Sequence, residues 1–121
     1  MHHSARETAL ILASMLKRNG QSRARLSGKT IKFVAGRQSL RSAFFVELVG
    51  ELGEFGWILF ELPAGGYGVV EARALEAAKT LTAKRSLTDD EMHALRRGAV
   101  DFEALKREVA PDDEEGGDGD E

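Results

Sequence analysis

Cysteine is absent from the 121 residues. That excludes disulfides, thiolate metal sites and thiol nucleophiles. Histidine occurs only as His2, His3 and His93. The first two stand at the chain start and His93 has no ligand-like partner at useful spacing, so no metal site is expected. No Ser/His/Asp arrangement is apparent, and no enzymatic activity or cofactor is expected. No apolar run approaches the ~20 residues of a membrane span. Lys17 and Arg18 follow the first apolar stretch instead of preceding it, which is the wrong layout for a secretory signal. The reading is a soluble, cytoplasmic protein of one-domain length.

The formal net charge of -3 conceals a division. Residues 112–121 hold seven carboxylates and no basic group, so the remainder carries 17 basic against 13 acidic side chains. Within residues 1–50, nine basic residues face only Glu7 and Glu47, a balance of +7. Such asymmetry fits a cationic face that meets a polyanion, beside an acidic tail. The tail has no apolar residue and is expected to be disordered. It is open to three uses: solubility, competition with a polyanion for the basic face, or mimicry of a polyanion.

The first helix is marked by Ser4 and Glu7 at capping-box spacing, by Ala9, Leu12, Ala13 and Leu16 on one face, and by Asn19-Gly20 at its end. Arg23-Ala24-Arg25-Leu26 alternates and predicts a very short strand. Ser27 predicts a cap for a short helix closed by Gly36, with Ile31, Val34 and Ala35 inward. A strand over Thr30–Val34 is the alternative, because those residues favour β structure. Ser39 predicts a second cap, opening a helix over 40–55 with Leu40, Phe44, Leu48, Leu52 and Phe55 as its stripe. Gly50 and Gly53 weaken that helix and leave room for a close neighbour. Trp57–Leu62 and Tyr67–Glu71 read as a β-hairpin around Pro63-Ala64-Gly65-Gly66. Residues 72–83 predict a helix burying Leu75, Ala78 and Leu81. Thr88 with Glu91 predicts another capping box, for a helix that stops at Gly98. Residues 101–109 predict a last short helix before Pro111.

The paired helices 27–35 and 39–55, joined by Gly36-Arg37-Gln38, and the 57–70 hairpin with its glycine tip resemble the winged helix-turn-helix family of DNA-binding domains, in particular small prokaryotic regulators of plasmids and phages. The likeness spans about half the chain and rests on element order, with no diagnostic motif. It implies an α+β fold: a winged helix-turn-helix core of three helices plus a hairpin wing over 1–87, a helical extension over 88–110 and the acidic tail over 111–121. It implies that Gln38, Ser39, Arg41 and Ser42 read bases from the start of the recognition helix. Arg23, Arg25, Lys29, Lys32 and Arg37 would hold phosphates. Ala64, Gly65, Gly66 and Tyr67 would form the wing, which carries no basic residue. Glu47, Glu51 and Glu54 restrict any DNA-facing part of the helix to its first two turns. Trp57 and Phe60 are expected in the core, with Tyr67 the aromatic that remains available for stacking.

The function these features imply is sequence-specific double-stranded DNA binding by a small transcriptional regulator that occupies a promoter. Homodimerisation fits that role. No small-molecule ligand or membrane partner is implied. The alternative is a protein-interaction module on the same scaffold, an adaptor or antagonist from a mobile element. A weaker third reading is an architectural accessory factor in replication or recombination.

Overall fold

A computed structural model describes residues 1–111 of the chain; the acidic segment 112–121, and with it the expected disorder of the tail, lies outside the described residues. The described chain is α+β. It contains seven helices and a three-stranded antiparallel sheet, in two compact units: Met1–Ala78, and a second from Lys79 onward.

The first unit begins with α1 (Ala5–Asn19). Ser4 and Glu7 form the full capping box and Gly20 closes the helix in the left-handed region. β1 (Arg23–Leu26) follows, then α2 (Gly28–Ala35), capped by Ser27 Oγ accepting from Thr30 N. The helical reading of this segment therefore holds over the strand. α2 ends in a Schellman motif, with Gly36 N donating to Phe33 O and Arg37 N to Lys32 O. Gly36 has φ +68°, and a Cβ there would run into the Met1 carbonyl, so two constraints require glycine. α3 (Ser42–Glu54) leads through Gly56 into β2 (Trp57–Glu61) and β3 (Tyr67–Glu71). Gly65 and Gly66 turn the hairpin at positive φ, and Leu62 N donates to Gly66 O. α4 (Ala72–Glu76) follows β3 directly.

The strand order is β1-β3-β2. Ala24 and Leu59 both lie opposite Val69, and this row faces the helices. The core gathers Leu12, Leu16, Ile31, Val34, Phe44, Leu48, Leu52, Trp57, Leu59 and Val69. Each large apolar side chain moved fully out of water contributes about 1.5–3 kcal/mol. That burial fixes α1, α2 and α3 against one sheet face.

In the second unit, Thr82 caps the single turn α5 (Ala83–Ser86). Thr88 and Glu91 form the expected capping box of α6 (Asp89–Arg97), which ends at Gly98. Asp101 caps α7 (Phe102–Val109). No described residue from 79 onward is buried.

Four expectations are corrected. Ser39 caps no helix: α3 begins at Ser42, with Arg41 at the cap position and no side-chain cap bond. Arg37 and the half-buried Leu40 anchor the connector to the core and delay the helix by two residues. The helix over 72–83 stops after Glu76, leaving Leu75 and Leu81 55% and 84% exposed. Apolar spacing favours a helix only where something covers it, and Thr80 and Thr82 add β-branched residues of low helix propensity. Phe60 lies outside the core because β2 alternates: Trp57 and Leu59 point inward, Ile58 and Phe60 outward. Gly50 and Gly53 face open space, with no described atom near the position of a Cβ.

Candidate nucleic-acid interface

The connector between α2 and α3 is held by the chain start. His3 N donates to Ala35 O at 2.9 Å and His3 Nδ1 to Val34 O at 2.8 Å. These bonds satisfy carbonyls that the end of α2 leaves without helical partners. His3 O in turn accepts from Arg37 Nη2 at 2.9 Å. The Arg37 guanidinium lies 3.9 Å from the centre of the Phe44 ring. Its Nε is buried with no hydrogen-bond partner. Arg37 therefore fastens residues 1–4 and the first turn of α3 to the connector.

Around this fastening the connector is open. Gln38, Ser39, Arg41 and Ser42 are all exposed. Ser42 is the first residue of α3, and the other three precede the helix. On α2, Ile31, Val34 and Ala35 take the core side. That leaves Lys29 exposed and Lys32 half-buried on the opposite side, with Phe33 85% exposed beside them. Exposed Val46 stands one turn beyond Ser42. Both residues lie off the buried stripes read from the sequence, in which Phe45, Val46 and Val49 exceed what one stripe requires and Phe33 has no role.

Arg23 and Arg25 belong to a different surface. They project from the sheet face opposite the helices, where Arg23 pairs across to Val70 and Arg25 to Gly68. A shallow groove there is lined by both arginines with Phe60, Leu62 and Val70. The Phe60 ring lies over Gly68, where a Cβ would come within 2.7 Å of it. These two arginines thus stand on the sheet, whereas Lys29 and Lys32 stand on α2 and Arg41 at the cap position of α3.

The wing residues Ala64, Gly65 and Gly66 are exposed. Tyr67 is half-buried and its ring packs on Phe45, 5.3 Å between centres. The aromatic expected to remain available is thus engaged, and of the hairpin aromatics Trp57, Phe60 and Tyr67 the exposed one is Phe60.

The α3 carboxylates are gathered on one side. Glu47, Glu51 and Glu54 line a cleft with Ser4, Ala5 and Arg6. Arg6 bridges Glu51 at 2.8 Å and Glu54 at 3.3 Å. The hydrogen bond to Glu51 is the main cause that raises the Arg6 guanidinium above its ordinary pKa. These exposed pairs add little stability. Their effect is spatial, since the negative charge of α3 is drawn toward α1 and partly neutralised there.

Among the described residues no cluster of three or more His, Asp or Glu could hold a metal ion, and no helix is long and apolar enough to cross a membrane. No protein-family model, curated protein or solved structure matches the chain.

Proposed function

We propose that the unit Met1–Ala78 is a winged helix-turn-helix that binds double-stranded DNA in a sequence-specific way, and that the protein is a small prokaryotic transcriptional regulator acting by promoter occupancy. The observation that carries this reading is the rigidly tied α2–α3 connector, which exposes Gln38, Ser39, Arg41 and Ser42 in succession. The element order and the β1-β3-β2 sheet are compatible with the arrangement. Lys29 and Lys32 supply cations for phosphates, and Arg41 can donate two hydrogen bonds to a guanine edge. The α3 carboxylates stand around Arg6, which lowers their repulsion of a backbone near Ser42.

Selection of bound sequences from a random duplex pool, followed by a salt titration of the selected site, tests the reading. Affinity is expected to fall on the order of a hundredfold or more between about 50 and 200 mM salt if several phosphates are neutralised. Arg41→Ala should relax preference at one position, whereas Lys32→Ala should weaken all duplexes alike. Absence of duplex binding at low salt, with residues 112–121 deleted as well as present, refutes it.

One observation favours a second reading. Phe33 and Val46, 85% and 69% exposed, give the α2–α3 surface an apolar character that suits a protein partner. An interaction module predicts that Phe33→Ser abolishes partner binding in a manner nearly independent of salt. A DNA binder predicts that Phe33→Ser matters less than Lys32→Ala.

A further inference from the structure

The second unit has helices but no core. Every described residue from 79 onward keeps solvent exposure above the buried range. α6, α7 and the turn between them line an apolar groove of about 350 Å³ that includes Ala94, Leu95, Val100, Phe102 and Leu105. Leu95 and Phe102 are 55% and 67% exposed. Helices this short are marginal in water unless an apolar face is covered. An exposed apolar groove with a polar rim suits association.

The groove's own charges select the occupant. Its charged lining consists of Asp90 and Glu91 of α6, Asp101 at the turn and Glu108 of α7, all acidic. The basic residues of the same two helices, Arg96, Arg97, Lys106 and Arg107, lie outside the lining. Two of the four carboxylates serve the helices themselves: Glu91 accepts from Thr88 N and Asp101 from Ala104 N. Asp90 and Glu108 enter no ion pair among the described residues. Glu108 stands in the last turn of α7, where the helix dipole disfavours an anion. A cation brought by a partner would offset that cost. A second copy presenting this groove would bring the same carboxylates and be repelled. A basic amphipathic helix combines an apolar stripe at i, i+3, i+4 and i+7 with Lys or Arg on its flanks, and such helices lie in apolar grooves. Charge complementarity of this kind chooses among partners.

We propose that the α6–α7 groove receives a basic amphipathic helix of a protein partner, with apolar side chains against Leu95, Phe102 and Leu105 and Lys or Arg beside Asp90 and Glu108. The site lies wholly in the second unit and is independent of DNA binding and of the Phe33–Val46 surface. The probe is a fluorescein-labelled peptide of about 18 leucines and lysines, with leucine on one helical face. Its controls are a scrambled peptide of the same composition and an ordered peptide with glutamate for each lysine. Binding to the full chain, without DNA, is read by fluorescence anisotropy. Any lysine-rich peptide meets the carboxylates of residues 112–121, so the scrambled peptide sets the baseline. The ordered leucine/lysine peptide is expected to bind at least about tenfold tighter than either control. Leu105→Asp should remove that margin. Asp90→Lys/Glu108→Lys leaves the apolar lining intact and should weaken binding at least about tenfold. Asp89→Lys/Glu103→Lys makes the same change of charge outside the lining and should weaken it less than about threefold. Phe33→Ser should leave it unchanged. Equal binding of the ordered peptide and either control overturns the proposal. So do equal losses in the two charge-reversed chains, parental binding by Leu105→Asp, or loss of binding in Phe33→Ser. A full chain that sediments as a dimer until Leu105→Asp dissociates it also overturns the proposal, because a second copy then fills the groove.

Discussion

Replacing Arg37 by alanine separates two roles for a residue that the winged-helix resemblance would set against a phosphate. Its Nη2 donates to His3 O, a charged hydrogen bond of a kind that contributes about 1.5–3 kcal/mol. Its guanidinium stacks 3.9 Å from the centre of the Phe44 ring, which adds ~0.5–2 kcal/mol. Two terms reduce the sum. Arg37 is only half-buried, so solvent screens part of both contacts. Removing the buried, unpartnered Nε also relieves a standing cost. The expected net loss is about 2 kcal/mol, or roughly 10 °C in a unit of this size. The single tryptophan, Trp57, is 7% exposed in the core and reports unfolding of this unit directly. Arg37→Lys keeps the charge but lacks the planar face, and should recover less than half of the loss. The reasoning is refuted if Arg37→Ala unfolds like the parent while the salt slope of duplex binding falls by about one. That pair of results would make Arg37 a phosphate contact.

Other substitutions test the fold more simply. Ser4→Ala removes a working capping box and should cost about 1 kcal/mol, whereas Ser39→Ala caps nothing and should fall within roughly ±0.5 kcal/mol; paired urea titrations compare them. Leu52→Ala should destabilise the first unit by about 2–5 kcal/mol, read by the same Trp57 signal, because the side chain is fully buried and its space cannot refill. Gly36→Ala forces a side chain into the left-handed region and against Met1, so it should cost more than about 1 kcal/mol. A melting temperature unchanged by Gly36→Ala would show that residues 1–4 do not seat on the connector.

The sequence made visible what is decided within a few residues. Ser4 with Glu7 and Thr88 with Glu91 act over three positions, and both boxes form as read. The hairpin was legible because Gly65 and Gly66 are required by the turn itself. Ser39 misled because its competition is not local: Arg37 reaches back 34 residues to His3, and Leu40 packs on the core. Leu75 and Leu81 misled because spacing shows which residues share a face and says nothing about whether a second surface meets it. The candidate interface divides in the same way. The exposure of Gln38, Ser39, Arg41 and Ser42, on either side of the half-buried Leu40, follows from the order of elements. The outward aim of Arg23 and Arg25, the inward use of Arg37 and the capture of α3 carboxylates by Arg6 depend on distant partners.

The outward arginines of β1 have a consequence for solubility. β1 lies at one edge of the sheet, so one side of its backbone has no strand partner within this sheet. An open edge of this kind is a template on which other chains can add, the first step toward aggregation. β1 is only four residues long, and antiparallel addition of another β1 would bring Arg23 and Arg25 against the same two charges. The arginine pair thus protects the edge whether or not a nucleic acid ever touches it. Neutralising both should first appear as turbidity in concentrated samples.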